Sequence, residues 1–274
     1  MPTVTAHSEA RTTNDGGGRG WAIALVDSGL AAGLADSPGI NLSGEGDATD
    51  TTDCCGHGTA VASTILGIAP GTALVPVKVT DRRGVLRDRD RLADAFAWIA
   101  EHRAQYTIGV VCVALGDQSC LVSDAAFRGS LLQQRIAALR AADVLTLAPA
   151  GNWRRLNGEH REGMVWPAIL REVVSVGAAE RTPAGLRVSA TSQRLRRTGE
   201  IACATTLFTA EGPPGETSGA TAVLAGCLAR LAQMRPGPAA GILADMVPQF
   251  LQSAADDDGG RWPALMPDDL PAPT

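Results

Sequence analysis

Lys78 is the only lysine among the 24 basic residues of this 274-residue chain, and acidic side chains outnumber basic ones for a formal net charge of −5. That shortage of clustered positive charge excludes nucleic acid as the main partner, because a phosphate-binding face needs a surplus of basic side chains. Long apolar runs are also missing. The longest, such as Ile108 to Leu115, fall far short of the about 20 residues that cross a bilayer, so no membrane partner is expected. Met1 leads into a polar, Gly-rich stretch with no apolar signal core, and two of the six cysteines, Cys54 and Cys55, are adjacent. Both features point to free thiols in a reducing, cytoplasmic compartment. No internal repeat or low-complexity linker divides the chain.

A 45% hydrophobic content over this length suffices for one large core. Residues 1–19 carry no hydrophobic period and read as a loose arm, 20–255 as the folded domain, and 256–274, rich in Asp, Gly and Pro, as a tail. Trp21 to Val26, Ala73 to Val79, Ile108 to Leu115, Val144 to Ala148 and Val173 to Ala178 are short apolar runs that read as buried strands. Leu186 to Ala190 and Glu200 to Ala204 read as outer strands. Residues 36–53 form a long polar loop. Amphipathic helices are expected over Arg89 to His102 and Asp124 to Ala141, with further helices after His57, over Ser218 to Leu231 and over Ala239 to Ser253. Alternation of strand and helix implies a largely parallel α/β sheet covered on both faces.

Three polar residues stand at the ends of these elements. Asp27 closes the first strand, where open α/β sheets place their sites, although Asp-Ser-Gly after a strand also makes a plain turn. His57 opens a small-residue helix. Ser218 follows a Pro-Pro-Gly turn at a helix start, where unpaired N–H groups and the helix dipole suit a nucleophile and equally suit a simple N-cap. Cys54, Cys55 and His57 raise the thought of zinc, but no second ligand pair at finger spacing follows, so no metal is expected there.

Taken together, Val26-Asp27-Ser28-Gly29, His57-Gly58-Thr59-Ala60-Val61-Ala62, Ala150-Gly151-Asn152 and Thr217-Ser218-Gly219-Ala220-Thr221-Ala222 resemble, in order, the four signature blocks of the subtilisin-like serine proteases. The resemblance runs from about Trp21 to Leu231 and implies a three-layer subtilisin-like fold. It also implies Ser218 as nucleophile, His57 as general base and then acid, Asp27 as the group orienting the imidazole, and Asn152 as an oxyanion donor. A serine hydroxyl needs such a base to attack a peptide carbonyl at neutral pH. In the family, a peptide or protein substrate binds as an added strand between two edge segments, which correspond here to Gly84-Val85-Leu86 and Ala114-Leu115-Gly116. Pro149-Ala150-Gly151 would wall the first specificity pocket. The loop Trp153 to Val165 would shape its floor, with Glu159 and Glu162 favouring a basic residue.

Several departures from the family pattern carry expectations of their own. Glu216 stands where the family usually has glycine, which places a carboxylate within possible reach of His57. Between Ile65 and Ala69 there is no room for the calcium-binding insertion of many secreted members, so neither calcium nor any other cofactor is expected. The short stretch before the first strand suits folding without a prodomain. The implied function is a serine endopeptidase acting through an acyl-enzyme, in particular one removing the leader of a peptide. Two other readings stay open: a macrocyclase or transpeptidase using the same acyl-enzyme, and an inactive subunit that presents the groove to a peptide.

Overall fold

The computed structural model describes residues 20–35, 37–157, 162–196 and 206–271. The expected arm 1–19, the expected strand Glu200 to Ala204 and Glu159 lie outside them. The apolar runs become the strands of one sheet: β1 (Ala22–Asp27), β3 (Leu74–Lys78), β4 (Ile108–Val113), β5 (Leu145–Pro149) and β6 (Val173–Thr182). A two-residue strand β2 (Ile40–Asn41) within the 36–53 loop pairs with β3. β7 (Gly185–Val188) follows, then β8 (Leu207–Ala210), β9 (Gln252–Ala255) and β10 (Arg261–Ala264). The order is β2-β3-β1-β4-β5-β6-β7-β9-β10-β8, and β6 also pairs with β8. The ladders from β2 to β6 are all parallel, while β6–β7 and β9–β10 are antiparallel.

Side chains alternate across this sheet with the two-residue period of a strand, and each set meets its own helices. Ile23, Leu25, Val110, Cys112, Leu145 and Leu147 pack with α1 (His57–Ile68) and with a long helix, Glu216–Met234. Ala22, Ala24, Val26, Val111 and Val113 pack on the other side with α2 (Asp90–His102) and α3 (Leu131–Ala141). Three layers result. A short α4 (Arg154–Asn157) follows β5, and we call the long helix α5. α5 has 14 buried residues among its 19, which its run of Ala, Gly and Thr makes possible: small side chains allow it to lie in the middle of the core.

Three expectations are corrected. The helix over Asp124 to Ala141 is interrupted, because Gly129 takes a left-handed turn (φ 75°) and Ser130 begins a new helix by accepting from the Gln133 N–H. The helix over Ala239 to Ser253 is one α-turn, a π-turn and a 3-10 turn, followed by β9. Pro248 cannot donate the hydrogen bond that a continuous helix needs. The stretch from Asp256, taken for a tail, instead turns the chain back into β10. Asp256 Oδ1 accepts from the N–H groups of Asp258 and Gly260 to close the hairpin, and its Oδ2 takes the indole N–H of buried Trp262 at 2.8 Å. The Asp and Gly content was turn chemistry, and Trp262 against Phe208 supplies the apolar anchor.

Candidate active site

β1 delivers Asp27 at its C-terminal end, buried to 1% exposure. Its carboxylate accepts from the Ser28 N–H at 2.7 Å and faces His57, the first residue of α1, with Oδ1 and Oδ2 at 2.8 and 2.9 Å from Nδ1. Gly58 lets the helix approach this closely, since a Cβ there would lie 2.2 Å from the Gly29 carbonyl oxygen and 3.2 Å from Asp27 Oδ1. The hydrogen bond to Asp27 raises the His57 pKa above its ordinary value; burial opposes the rise, and the charges of Asp27 and Asp53 add to it.

Asp53 is a residue that pattern reading passed over. Its carboxylate accepts from the N–H groups of Cys55, Gly56 and Thr59 and from the hydroxyls of Ser28 and Thr59, so it caps α1 from outside the helix. Burial would raise its pKa, but the bonds from the Thr59 side chain and backbone, Gly56 and Ser28 outweigh burial and hold it down at about 2. Ser28 Oγ in turn accepts from the Gly58 N–H, which stitches β1 to α1. An Asp four residues before the histidine was the available signal.

Ser218 lies in the first turn of α5. The turn before it is sharp: Gly215 has φ 106° and Glu216 has φ 51°, a left-handed conformation that glycine takes freely and glutamate does not. Gly219 sits against the Gly212 carbonyl oxygen, 1.7 Å from where a Cβ would stand, so no side chain fits there. The carboxylate of Glu216 is exposed, and it is not among the charges that raise the His57 pKa; Asp53 takes the part that sequence suggested for it. Ser218 Oγ donates to the Ala114 carbonyl at 3.2 Å and makes no hydrogen bond to His57.

Asn152, just after β5, has its amide oriented by Thr217. Asn152 Oδ1 accepts from the Thr217 N–H at 3.1 Å and from the Thr217 hydroxyl at 2.6 Å, which leaves Nδ2 as the free donor. Thr217 is fully buried and was not singled out in sequence except as part of a block. His57, Ser218, Asn152, Ala114, Leu115, Gly116, Pro149 and Gly151 all line one cavity of about 200 Å³.

The two edge segments also come together. Gly84, Val85 and Leu86 face Leu115 and Gly116 across a second cavity of about 390 Å³, backed by Leu92 and Trp166. Asp81 pins the first segment by donating its N–H to the Val85 carbonyl and accepting the Val85 N–H on its carboxylate; that bond, with those from Arg87 and the Arg83 N–H, holds the Asp81 pKa at about 2. Ala150, expected in the wall, does not line the cavity as its neighbours Pro149 and Gly151 do; its N–H donates to the Val176 carbonyl and its carbonyl accepts from the Val165 N–H. Glu162 does not join the pocket: its carboxylate accepts the Arg196 N–H, and Val165 lies in the floor instead. Among the described residues no group of histidine, cysteine and acidic side chains has the arrangement of a metal site, and no helix is long and apolar enough to cross a membrane.

Comparison with known proteins gives a consistent picture. The model of the subtilase family, Peptidase_S8, matches residues 18–264. Subtilisin DY of Bacillus licheniformis is 27% identical over 171 residues, a stretch that spans 58% of this chain and 56% of that protein. Three solved structures share the fold. A lanthipeptide protease (17% identity, TM-score 0.65) covers 91% of this chain and 86% of its own, and a cold-adapted subtilisin-like serine proteinase (22%, 0.65) covers 93% and 90%. The nisin leader peptidase NisP from Lactococcus lactis (18%, 0.66) covers 92% and 86%.

Proposed function

Because the chain belongs to the subtilase family, we propose that it is a serine endopeptidase in which Asp27, His57 and Ser218 form the catalytic triad and Asn152 serves the oxyanion. One observation carries this reading: His57, Asn152 and Ser218, from elements far apart in sequence, line one small cavity, with buried Asp27 gripping His57 Nδ1 from behind. Held in that orientation, the imidazole offers its other nitrogen to the serine proton. As Ser218 Oγ bonds to the scissile carbon, the proton passes to His57, and the carbonyl oxygen gains charge beside Asn152 Nδ2 and the Ser218 N–H. His57 then protonates the leaving amine. A water, deprotonated by the same imidazole, releases the acyl group.

Substrate enters as an added strand between Gly84-Val85-Leu86 and Ala114-Leu115-Gly116. A backbone N–H of that strand would take the Ala114 carbonyl now used by Ser218, freeing the hydroxyl to turn toward His57. We place the enzyme in a reducing compartment, on the support of free cysteines at Cys54, Cys55, Cys112, Cys120 and Cys227, and assign it a peptide precursor as substrate. Two of its structural neighbours are by name a lanthipeptide protease and a leader peptidase. The Ser218 hydroxyl bonded to Ala114 favours a second reading, an inactive groove that only binds.

A fluorophosphonate probe separates the two. The endopeptidase reading expects one phosphonyl group per chain, on Ser218, and none on Ser218→Ala; an unlabelled wild-type chain would leave only the binding reading.

A further inference from the structure

The cavity beside Ser218 should receive the side chain of the residue before the cut, between a wall at Gly116 and a wall at Gly151. These walls are joined three times. A Cβ added at Gly116 would lie 2.7 Å from Val165 Cγ2, and one added at Gly151 would lie 2.4 Å from Val165 Cγ1. One isopropyl group therefore touches both walls at once. Trp153, on the Gly151 side, donates its indole N–H to the Asp117 carbonyl on the Gly116 side at 3.2 Å. Gln193 accepts the Trp153 N–H and donates from Nε2 to the Ser119 carbonyl at 3.0 Å.

Val165 itself is held at both ends. Its N–H donates to Ala150 and its carbonyl accepts from Ile169, each at 3.0 Å, and its side chain is fully buried. It has no room to swing aside. Charge gives no compensating attraction for a long basic side chain. The Asp117 carboxylate accepts from the N–H groups of Ser119 and Trp166 and from the Ser119 hydroxyl, and pairs with Arg89 at 2.6 Å.

We infer that Val165 is the specificity-determining stop of this pocket, and that the enzyme cuts after small residues, glycine, alanine or serine, and rejects aromatic, large aliphatic and basic ones. This inference rests on the endopeptidase reading and names its substrate class.

The test has two arms. In the first, a set of peptides differing only at the residue before the cut (Gly, Ala, Ser, Leu, Phe, Arg) is hydrolysed by wild type, Val165→Gly and Val165→Ala. Wild type should favour Ala over Phe in kcat/KM by about 100-fold, the order of discrimination that a few methylenes produce in an apolar pocket. Val165→Gly should raise Phe at least about 10-fold relative to Ala, and Val165→Ala should do so less. The Ala variant retains a Cβ and answers the question if the glycine variant is poorly folded.

In the second arm, product peptides ending in Ala or Phe are titrated into Ser218→Ala and into Ser218→Ala/Val165→Ala. Tighter binding of the Ala-ended peptide, narrowed by the second change, is expected whether or not the wild type turns over. Loss of turnover with that binding order intact would therefore sink the endopeptidase reading and not the stop. Equal or preferential use of Phe or Arg by wild type, or an unchanged ranking in the Val165 variants, would overturn the inference.

Discussion

The two sides of the cleft are built to different degrees of readiness. On the β1 and α1 side, Asp27, Ser28, Asp53, His57 and Thr59 form a closed hydrogen-bond network, with the histidine oriented and its pKa raised. On the β5 and α5 side the oxyanion donor is equally well set by Thr217, yet the nucleophile points at Ala114. His57 and Asn152, the proposed base and oxyanion donor, are held by Asp27 and Thr217, both buried. The hydroxyl is bonded to a carbonyl of the substrate edge. In the proposed mechanism, full assembly of the triad would thus be coupled to strand addition, a use of binding energy from which hydrolysis of a short or badly docked peptide would not benefit.

The strongest way to break this comparison is to remove either reacting group. His57→Ala and Ser218→Ala should each lower kcat by about 10⁶-fold, and the double variant should lose no more, because such groups act as one unit. Single-turnover rates of the three variants check this; losses that add would show that the two sides work separately.

Next in size is the oxyanion pair. Asn152→Ala should cost about 10² to 10³ in kcat through loss of the donor. Thr217→Val keeps Asn152 but removes the hydroxyl that orients it, so a smaller fall in kcat with KM nearly unchanged is expected. If Thr217→Val leaves kcat at the wild-type level, the side-chain amide does not need that hold.

The pH dependence probes the base side. Activity needs neutral His57, so the acid limb of kcat/KM should lie above the ordinary imidazole value of about 6.5 and rise with pH through the raised pKa. Asp53→Asn withdraws a negative charge, and the limb should move down. Stability follows the opposite sign for the histidine: its contribution is full below about pH 6.5 and is lost as pH climbs through the raised value. That of Asp53 is present above the usual carboxylate range and is lost as pH falls toward about 2. An acid limb that stays fixed in Asp53→Asn would remove Asp53 from the base side.

The smallest effect belongs to Glu216. Glu216→Gly should relieve a left-handed backbone and stabilise the fold by about 1 kcal/mol, while the acid limb coincides with that of wild type because the carboxylate is exposed. Urea unfolding and a pH–rate profile measure both. A shifted limb would bring Glu216 into the network from which its exposure separates it.

Sequence by itself determined most of the strands and helices in the first two-thirds of the chain, and its four family-like blocks picked out Asp27, His57, Asn152 and Ser218. Apolar runs bounded by turn residues are local signals: Asp27 stands at the end of one and His57 and Ser218 at helix starts, while Asn152 was singled out through the family resemblance alone. Other features were decided only in three dimensions. Asp53 caps α1, Thr217 turns the Asn152 amide, and Val165 reaches Gly116 and Gly151 across the pocket, all by contacts without a periodic trace in the chain. The β9–β10 hairpin was hidden for a related reason: Asp and Gly at a turn have the composition of a solvated tail, and only the burial of Trp262 against Phe208 tells them apart. The left-handed backbone at Glu216 is likewise a product of packing, since the tight turn before Ser218 is imposed by Gly219 lying on the Gly212 carbonyl and not by any preference of glutamate.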